Sequence, residues 1–464
     1  MTSSTTVPPT DAPPRSRRIG FVSTRFAGTD GVSLETAKWA TVLERLGNTC
    51  FYFAGECDRP ADRSHIVPEA FYRHPDIAAL NDLAYPAETA AAAAPERPAG
   101  QDRFPRSPSV RSAAMTDRIH ALREHLKSEL RAFVDRFEIE LLVIENASSI
   151  PLNLPLGLAI SELVAETGIP TIAHHHDFAW ERQRFLVNCV PDVLAAAFPP
   201  SHPAIHHVVI NSVQARDLAS RNGLTARVIP NVMEFEVPPE PPAIPVAGIR
   251  ADLRIAPGDL LFLQPTRVIP RKGIEHAMEF TRRLGRPASL VVSHASGDEG
   301  PEYEQRLREY AALLGVDVRF EAEVIGDQPG TTADGRRIHT LADVYPAADF
   351  VTYPSVFEGF GNAFLEAVYF GRPILVNNYS TYEVDIRPRG FRVVWLDGFL
   401  SEEALALARR LLDDPAEAAA WATRNYELAA RHFSFTVLRR HLEDLLLDCF
   451  GIDPPGLTGV PMGS

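Results

Sequence analysis

The sequence predicts an α/β protein of two successive domains, each built around a parallel β-sheet with helices on both faces. Three observations carry this prediction. The 464 residues exceed what one ordinary core holds. Short apolar runs alternate with longer amphipathic segments, and a proline-rich stretch divides this alternation into two series. We therefore expect two doubly wound, Rossmann-like domains facing across a cleft, with ligand sites at the carboxyl ends of the strands.

The first series predicts an N-terminal domain over residues 18–235, after a disordered tail at 1–17. It opens with the buried-strand pattern of Arg18–Thr24 and the helical spacing of Ser33–Leu46. The further predicted strands are Thr49–Ala54, Glu140–Glu145, Pro170–His174 and His207–Ile210, and the further predicted helices are Met115–Phe137, Leu154–Thr167 and one from Val213. An alanine run with repeated prolines, about 86–112, predicts a mobile loop.

The second series predicts a C-terminal domain over residues 236–430. Asn231–Arg250 contains EVPPEPPAIPV, whose prolines stiffen the chain and predict a connection between the domains. The predicted strands are Leu260–Gln264, Ser289–Ser293, Asp317–Phe320, Asp349–Tyr353 and Pro373–Val376, and the predicted helices include Gly273–Leu284 and Glu302–Leu314. Residues 431–464 are assigned to a crossover helix, expected to return to the first domain, and a tail.

Composition excludes several classes of protein. The net charge of −14 argues against nucleic-acid binding, because binders of the phosphate backbone carry a basic field. The 4 cysteines are scattered without metal-type spacing, which fits a reducing cytoplasm. The N-terminal stretch lacks the apolar run of a signal peptide, and no apolar stretch is long enough to span a bilayer. We expect a cytoplasmic protein.

The sharpest motif is VFEGFGNAFLEA at Val356–Ala367, after a buried strand and at the start of a helix. Its glycines let the backbone approach a ligand, and the free N–H groups of a helix start favour an anion. Glu358 in the turn and Glu366 on the helix are carboxylates that can accept hydrogen bonds from sugar or ribose hydroxyls. The alternative is that Glu366 is a solvated glutamate on the helix and that the glycines only form a turn.

A second motif, TRVIPRKG at Thr266–Gly273, also follows a predicted strand. Arg267 and Lys272 stand five residues apart across a turn containing Pro270, which could place two cations over a pyrophosphate. A solvated basic turn is the alternative.

Two motifs of the first domain also follow predicted strands. GTDGVS at Gly28–Ser33 resembles a phosphate-binding loop but lacks the full G-x-G-x-x-G fingerprint. HHHD at His174–Asp177 ends a strand. Because strand side chains alternate, three successive histidines cannot converge on one ion, so we expect no metal. One imidazole and Asp177 could instead orient a substrate hydroxyl.

Together these four motifs resemble glycosyltransferase family 4, the retaining enzymes of GT-B fold, over essentially residues 18–450. The resemblance implies that Arg267 and Lys272 hold the diphosphate of a nucleotide-sugar donor and that Glu366 holds its ribose. Glu358 is then the carboxylate that meets the donor sugar and serves in catalysis, together with Asp177 and a histidine. That histidine is His175 or His176. The further implied donor contacts are Gly31 from the first domain, the backbone near Val324 against the base, and the amides of Gly359, Phe360, Gly361 and Asn362.

The resemblance also bears on cofactors and partners. It implies no tightly bound cofactor, and the chain has no Asp-x-Asp motif, so we expect no divalent metal. The segments GTDGVSLETAKWATVLERLG and HHHDFAWERQRF are similar to mannosylglucosylglycerate synthase-like sequences, which implies transfer of a hexose, typically mannose from GDP-mannose, to a small hydrophilic acceptor such as glucosylglycerate. A homodimer is compatible with the sequence. The rival functions are a GT-B-like epimerase or hydrolase of sugar nucleotides and a non-catalytic nucleotide-sugar binder.

Overall fold

The computed structural model describes residues 16–28, 30–85, 111–296 and 301–451. The described chain divides into two compact units. The first holds the residues up to Val209, Asn222–Arg227 and the stretch from Arg439 onward; the second holds Ile210–Arg221 and Val228–Leu438. The predicted mobile loop at 86–112 lies, except for its last two residues, outside the described residues.

The first unit contains a seven-stranded sheet in the order β5-β3-β1-β6-β7-β8-β9. Every pairing from β5 through β8 is parallel. The strands of this unit are β1 (Arg18–Val22), β2 (Arg25–Phe26), β3 (Thr49–Ala54), β4 (Glu56–Cys57), β5 (Ser64–Ile66), β6 (Leu141–Glu145), β7 (Thr171–His175), β8 (Ile205–Val209) and β9 (Ala226–Val228). Its helices are Gly31–Arg45, Pro75–Ala84, Ala113–Phe137, Leu154–Thr167, Gln183–Leu186 and Pro191–Ala197.

Helix Ala113–Phe137 illustrates why the strands of this sheet have apolar sequences. Leu126, Leu130 and Phe133 recur at helical spacing and are fully buried against the side chains of β1 and β6, such as Val22 and Ile144. Since helices cover the sheet, β6 is buried along its whole length and β1 at every residue after Arg18.

The second unit contains a six-stranded parallel sheet in the order β12-β11-β10-β15-β16-β17. The strands after β9 are β10 (Leu260–Gln264), β11 (Ala288–Val292), β12 (Asp317–Phe320), β13 (Gly330–Thr331), β14 (Arg337–Ile338), β15 (Phe350–Tyr353), β16 (Ile374–Asn377) and β17 (Val394–Leu396). The α-helices after Val209 are Ser212–Asn222, Val246–Asp252, Ile274–Leu284, Glu302–Leu314, Leu341–Val344, Asn362–Tyr369, Glu402–Asp413, Pro415–His432 and Phe435–Phe450. These two sheets confirm the α/β prediction.

Two predicted elements need correction. The proline-rich connection does not extend through Arg250, because Val246–Asp252 is helical. Ile249 and Leu253 are fully buried in the core of the second unit, and that burial outweighs the nearby prolines. Strand β8 runs over Ile205–Val209 rather than His207–Ile210. The prediction left out its first residues because its histidines interrupt the apolar pattern. Among the helices of the described ranges, none is both long and apolar enough to cross a membrane.

Candidate active site

The loops that follow β10 and β15 lie in contact, because these two strands are neighbours in the second sheet. The backbone N–H of Val356 donates to the carbonyl of Arg271 at 2.8 Å. Gly273 has a φ of +60°, and a Cβ at that position would lie 2.5 Å from the carbonyl oxygen of Pro354. Glycine therefore fits this point for two reasons, its left-handed backbone and the close approach of the other loop.

Glu358 and Lys272, both predicted from the sequence, meet at this contact. The Lys272 ammonium donates to Oε1 of Glu358, and the Arg271 guanidinium donates to Oε2 at 2.9 Å. Glu358 and Lys272 are each only 8% exposed. Lys272 Nζ also lies 5.7 Å from the centre of the Tyr353 ring. Two cations face one buried carboxylate, so this cluster carries an excess positive charge.

The environment of the cluster shifts the pKa values of its groups. Burial lowers the pKa of Lys272 to about 8, with a further contribution from Arg271, although Glu358 acts in the opposite direction. Burial alone would raise the pKa of Glu358, but the charges of Lys272 and Arg271 outweigh it and hold that pKa below its usual value. Glu358 is therefore ionised at neutral pH.

Arg267 is exposed beside this cluster. The next residue, Val268, donates its backbone N–H to the carbonyl of Ala295 at 3.2 Å, which joins this loop to the one after β11. His294 lies in that second loop, with its Nδ1 2.7 Å from Oγ of Ser293. Burial lowers the pKa of His294, and the charges of Arg267 and Lys272 lower it further against the effect of Asp327.

The glycine-rich turn leads into helix Asn362–Tyr369. Gly361 has a φ of +132°, and a Cβ there would lie 2.5 Å from the hydroxyl of Tyr379, which donates to the carbonyl of Phe360 at 2.7 Å. No side chain caps the helix at Gly361. An uncapped helix start is a place where backbone N–H groups can receive an anion.

Three of the predicted ligands in this turn have structural contacts. Phe360 is 2% exposed and packs edge-to-face on Phe433, so its ring belongs to the core. The carbonyl of Gly359 accepts from the side-chain amide of Asn211 at 2.7 Å. Oδ1 of Asn362 accepts from Asn231 at 2.8 Å. A ligand would therefore meet the backbone of this turn rather than the Phe360 ring.

Glu366 and Val324 lie elsewhere in the second unit. Oε2 of Glu366 accepts a hydrogen bond from the hydroxyl of Tyr345 at 2.7 Å. Val324 is 2% exposed, its N–H donates to Glu321 and its carbonyl accepts from the N–H of His339. A base would have to use the second lone pair of that carbonyl.

In the first unit, Glu145 and two of the three histidines form a buried cluster. Glu145 ends β6 and pairs in register with His174 on β7. Its Oε2 lies 3.0 Å from His174 Nδ1 and 3.0 Å from His176 Nε2. The ring of Trp39 stacks on His174 with centroids 4.2 Å apart. Because Glu145 contacts both imidazoles, these three ligand atoms lie within 4.8 Å of one another.

Buried imidazoles and a carboxylate set one another's protonation here. Burial alone would raise the pKa of Glu145, but His174 and His176 outweigh it and lower that pKa. Burial alone would lower the pKa of His176, but the hydrogen bond and charge of Glu145 raise it above its usual value. Burial keeps the pKa of His174 lowered despite Glu145. Of the two imidazoles that contact Glu145, His176 is therefore the more readily protonated.

His175 points to the other face of the strand, as alternation requires. Its Nδ1 contacts Oγ of Ser149, and its Nε2 lies 2.9 Å from Nδ1 of His207. Burial and the neighbouring imidazoles lower its pKa well below the usual value. His175 is fully buried and His176 is 6% exposed, so His176 is the better placed of the two predicted candidates to meet a ligand.

The remaining predicted residues of the first unit, Asp177 and Gly31, lie at two separate turns. Asp177 is partly buried and accepts from Arg182 at 2.7 Å. Gly31 is exposed at the start of helix Gly31–Arg45. The carboxylate of Asp30 caps that helix by accepting from the N–H groups of Val32 and Ser33. Asp30 also accepts from the Arg25 guanidinium at 2.9 Å, so the negative charge in this turn is compensated, and the phosphate contact at Gly31 stays a prediction.

Sequence reasoning missed several residues of these clusters: Trp39, Glu145, Arg271, His294 and Tyr345. Glu145 had a detectable signal, because a carboxylate that ends an apolar run such as ELLVIE must find partners once buried. Arg271 lay within the basic motif TRVIPRKG, directly before Lys272, and could have been named with it. Trp39, His294 and Tyr345 carry no pattern that separates them from ordinary core or surface residues.

A cavity of about 740 Å³ in the second unit contains none of the predicted residues. Its wall includes the proline-rich segment at Pro239, the turn at Gly330, and Tyr369 and Phe370. Its lining gives no reason to assign it a substrate.

Comparison with known proteins supports the resemblance that the sequence motifs indicate. A family model described as glycosyl transferases group 1 matches residues 247–428. The mannosylglucosylglycerate synthase of Thermotoga maritima is 30% identical over 460 residues, which cover 92% of this chain and 98% of that protein. The mannosylglucosylglycerate synthase of Petrotoga mobilis is 28% identical over 407 residues, covering 82% of this chain and 86% of that protein.

Solved structures of low sequence identity share the fold. Anabaena HepE, solved in complex with UDP-glucose, matches with a TM-score of 0.61 at 13% identity, over 93% of this chain and 99% of that one. A glycosyltransferase from Rickettsia africae matches with a TM-score of 0.63 at 12% identity, over 94% of this chain and 100% of that one.

The two parallel sheets covered by helices, together with these matches, place the protein among the glycosyltransferases of GT-B fold. Since the Thermotoga relative matches along nearly its whole length, the chain belongs to the family of the mannosylglucosylglycerate synthases.

Proposed function

We propose that this protein is a retaining hexosyltransferase that moves mannose from GDP-mannose to a hydroxyl of glucosylglycerate or a similar small acceptor. The observation that carries the proposal is the cluster of Arg271, Lys272 and Glu358, where two cations and one buried carboxylate meet after adjacent parallel strands. Its excess positive charge suits a diphosphate, and its carboxylate suits sugar hydroxyls.

The donor diphosphate is assigned to Arg267, Arg271 and Lys272. All three lie in the loop after β10, and Lys272 is buried, where charge interactions are stronger than in water. The uncapped start of helix Asn362–Tyr369 adds backbone N–H donors. In the same assignment Glu366 accepts from the ribose, and the backbone of Val324 lies toward the base.

Glu358 is assigned to the hydroxyls of the transferred hexose. Because Lys272 and Arg271 keep it ionised, it acts as a hydrogen-bond acceptor that fixes the sugar. His176 is assigned as the active-site histidine of the first unit, with Asp177 close by in sequence. Glu145 holds the proton of His176 on Nε2, which sets the ring's orientation.

The proposed reaction uses the donor's own phosphate as the base. The bond from the anomeric carbon to the phosphate oxygen breaks while the acceptor oxygen bonds that carbon from the same face. The acceptor's proton passes to the departing phosphate oxygen, so configuration is retained and GDP is released. The cations stabilise charge that develops on the diphosphate, a contribution of about 2–4 kcal/mol for each well-placed donor. Without an assigned metal, the chain's own cations supply this stabilisation.

The choice of substrates rests on the relatives. Their name, mannosylglucosylglycerate synthase, describes a product that contains mannose, glucose and glycerate. A mannosyl donor and a glucosylglycerate acceptor are the simplest pair that yields it.

The test is a matrix of donors and acceptors. GDP-mannose, GDP-glucose, UDP-glucose and UDP-mannose are each incubated with glucosylglycerate, with glycerate and without acceptor, and products are identified by mass and by the anomeric NMR couplings. We expect an α-linked mannosyl product only with GDP-mannose and glucosylglycerate. Nucleotide release that is equally fast without acceptor would indicate a hydrolase, an inverted anomeric centre would refute retention, and donor binding without turnover would indicate a sensor.

A further inference from the structure

The hydroxyl of Tyr345 lies against the carboxylate of Glu366. The distance from the tyrosine oxygen to Oε2 is 2.7 Å, and Tyr345 is fully buried. Glu366 is only partly buried. The tyrosine thus approaches the carboxylate from within the core of the second unit, while the glutamate itself reaches the surface.

The tyrosine is held rigidly. Its ring stacks on Phe370 with centroids 4.9 Å apart and planes 10° from parallel. The short helix before it has a capping box formed by Thr340 and Asp343. The turn after it is tied by Arg250, which donates to the carbonyl of Ala347 at 2.9 Å. Because these contacts hold both the ring and its backbone, the hydroxyl fixes the position of the carboxylate oxygen that it contacts.

The hydroxyl remains a donor at every working pH. Burial and the negative charge of Glu366 raise the pKa of Tyr345 well above its usual value. A phenol that always carries its proton directs it toward Oε2 and orients the carboxylate plane. Such a contact removes rotational freedom from a glutamate side chain before any ligand binds.

We propose that Tyr345 is a positioning residue that orients Glu366 toward the ribose hydroxyls of a nucleoside diphosphate and thereby sets the preference for a ribonucleotide over a deoxyribonucleotide. This inference rests on the proposed function, because Glu366 is a ribose ligand only if the donor is a sugar nucleotide. It assigns to Tyr345 a role that ring packing alone does not require.

The experiment measures calorimetric binding of GDP and UDP, each with its 2′-deoxy and 3′-deoxy counterpart. The proteins are wild type, Tyr345→Phe, Glu366→Gln and the double variant. We expect wild type to prefer the better-bound ribonucleotide over at least one deoxy form by about tenfold, the size of a hydrogen bond to a charged group. Tyr345→Phe should reduce this preference to about threefold or less, weakening the ribonucleotide while leaving the deoxy form unchanged.

A matched control is available in the same unit. Tyr303 is buried and its hydroxyl donates to Oε2 of Glu275 at 2.6 Å, so Tyr303→Phe removes an equivalent tyrosine–carboxylate bond. It should leave the ribose preference unchanged. In the double variant, the Tyr345→Phe change should add nothing to the effect of Glu366→Gln.

The outcomes separate the two proposals. Equal weakening of ribo and deoxy forms by Tyr345→Phe, or an unchanged preference, overturns the role of Tyr345 while leaving the proposed function in place. If wild type binds neither diphosphate, the proposed function fails, and the inference fails with it. If the preference for the ribonucleotide is lost in Tyr345→Phe but present again in the double variant, the role of Tyr345 is also overturned.

Discussion

Each unit places a buried carboxylate among basic side chains at the carboxyl end of its parallel sheet, but the two sets of partners differ. Glu145 contacts the imidazoles of His174 and His176, whereas Glu358 contacts the ammonium of Lys272 and the guanidinium of Arg271. Imidazoles can be buried uncharged, and only one of the two has a raised pKa. The first cluster is therefore close to neutral, and the second keeps an excess positive charge.

This difference separates two kinds of chemistry. A cluster with a surplus cation suits a diphosphate, while a nearly neutral imidazole–carboxylate pair suits hydroxyl groups. The comparison predicts that damage to the second cluster affects nucleotide binding and stability, and that damage to the first affects transfer.

The largest effect is expected from Lys272→Ala. It removes a cation from the proposed diphosphate site and leaves Glu358 buried with one partner fewer. We expect kcat/KM to fall about 1000-fold and the free energy of unfolding to fall by about 3 kcal/mol, measured by steady-state kinetics and urea unfolding.

Two variants test this interpretation. Lys272→Met combined with Glu358→Gln removes both buried charges, so it should recover stability without recovering turnover. Arg286→Ala, which breaks an exposed pair with Asp413, should change neither quantity. Near-normal turnover in Lys272→Ala would refute the assignment of the diphosphate site.

A smaller but more specific pair of effects is expected from His176→Ala and Glu366→Ala. The histidine variant should lose about 100-fold in turnover while binding nucleoside diphosphate nearly normally. The glutamate variant should weaken diphosphate binding about tenfold. Calorimetry with GDP and single-turnover rates distinguish them, with exposed His120→Ala as the control. Equal losses of GDP affinity would show that the division between the clusters is wrong.

The pH dependence of nucleotide affinity sharpens the comparison further. Lys272 has a pKa of about 8 in the free protein, and a bound diphosphate would raise it. The complex then holds more protons than the free protein above pH 8. Affinity should be flat below pH 8 and fall by up to about tenfold per pH unit above it.

Lys272→Arg serves as the matched variant, because arginine stays protonated throughout this range. Its affinity for GDP should show no slope between pH 8 and 9.5. An unchanged slope in that variant would place the titrating group elsewhere and refute the assignment to Lys272.

The smallest effect, none, is expected from chelation. If the cations of the second cluster are sufficient, EDTA followed by dialysis should leave the transfer rate unchanged. A loss that Mg²⁺ or Mn²⁺ restores would show that a divalent ion assists the departing diphosphate.

Most of the fold was predictable from sequence, because strands buried on both faces are continuous apolar runs. Leu260–Gln264 and Thr49–Ala54 were predicted with the bounds that the structure has. Helix Val246–Asp252 was hidden by the prolines before it, since local propensity gives no information about the core that buries Ile249.

The candidate site was predictable only where its residues belong to contiguous motifs. Lys272 and Glu358 were named from two such motifs, and neighbouring strands bring them together. The alternation of strand side chains predicted that the three histidines would not share one point. It could not predict which carboxylate would join His174 and His176, because Glu145 arrives from a strand 29 residues away.

The contact between Gly273 and the carbonyl of Pro354 has a consequence for the entropy of binding. The backbone hydrogen bond from Val356 to Arg271 and the close approach of Gly273 to Pro354 already join the two loops. The ordering cost of bringing Lys272 to Glu358 is therefore met during folding, and a diphosphate encounters a preorganised receptor. Replacing Gly273 by any other residue would convert that rigid receptor into two loops that the ligand itself must assemble.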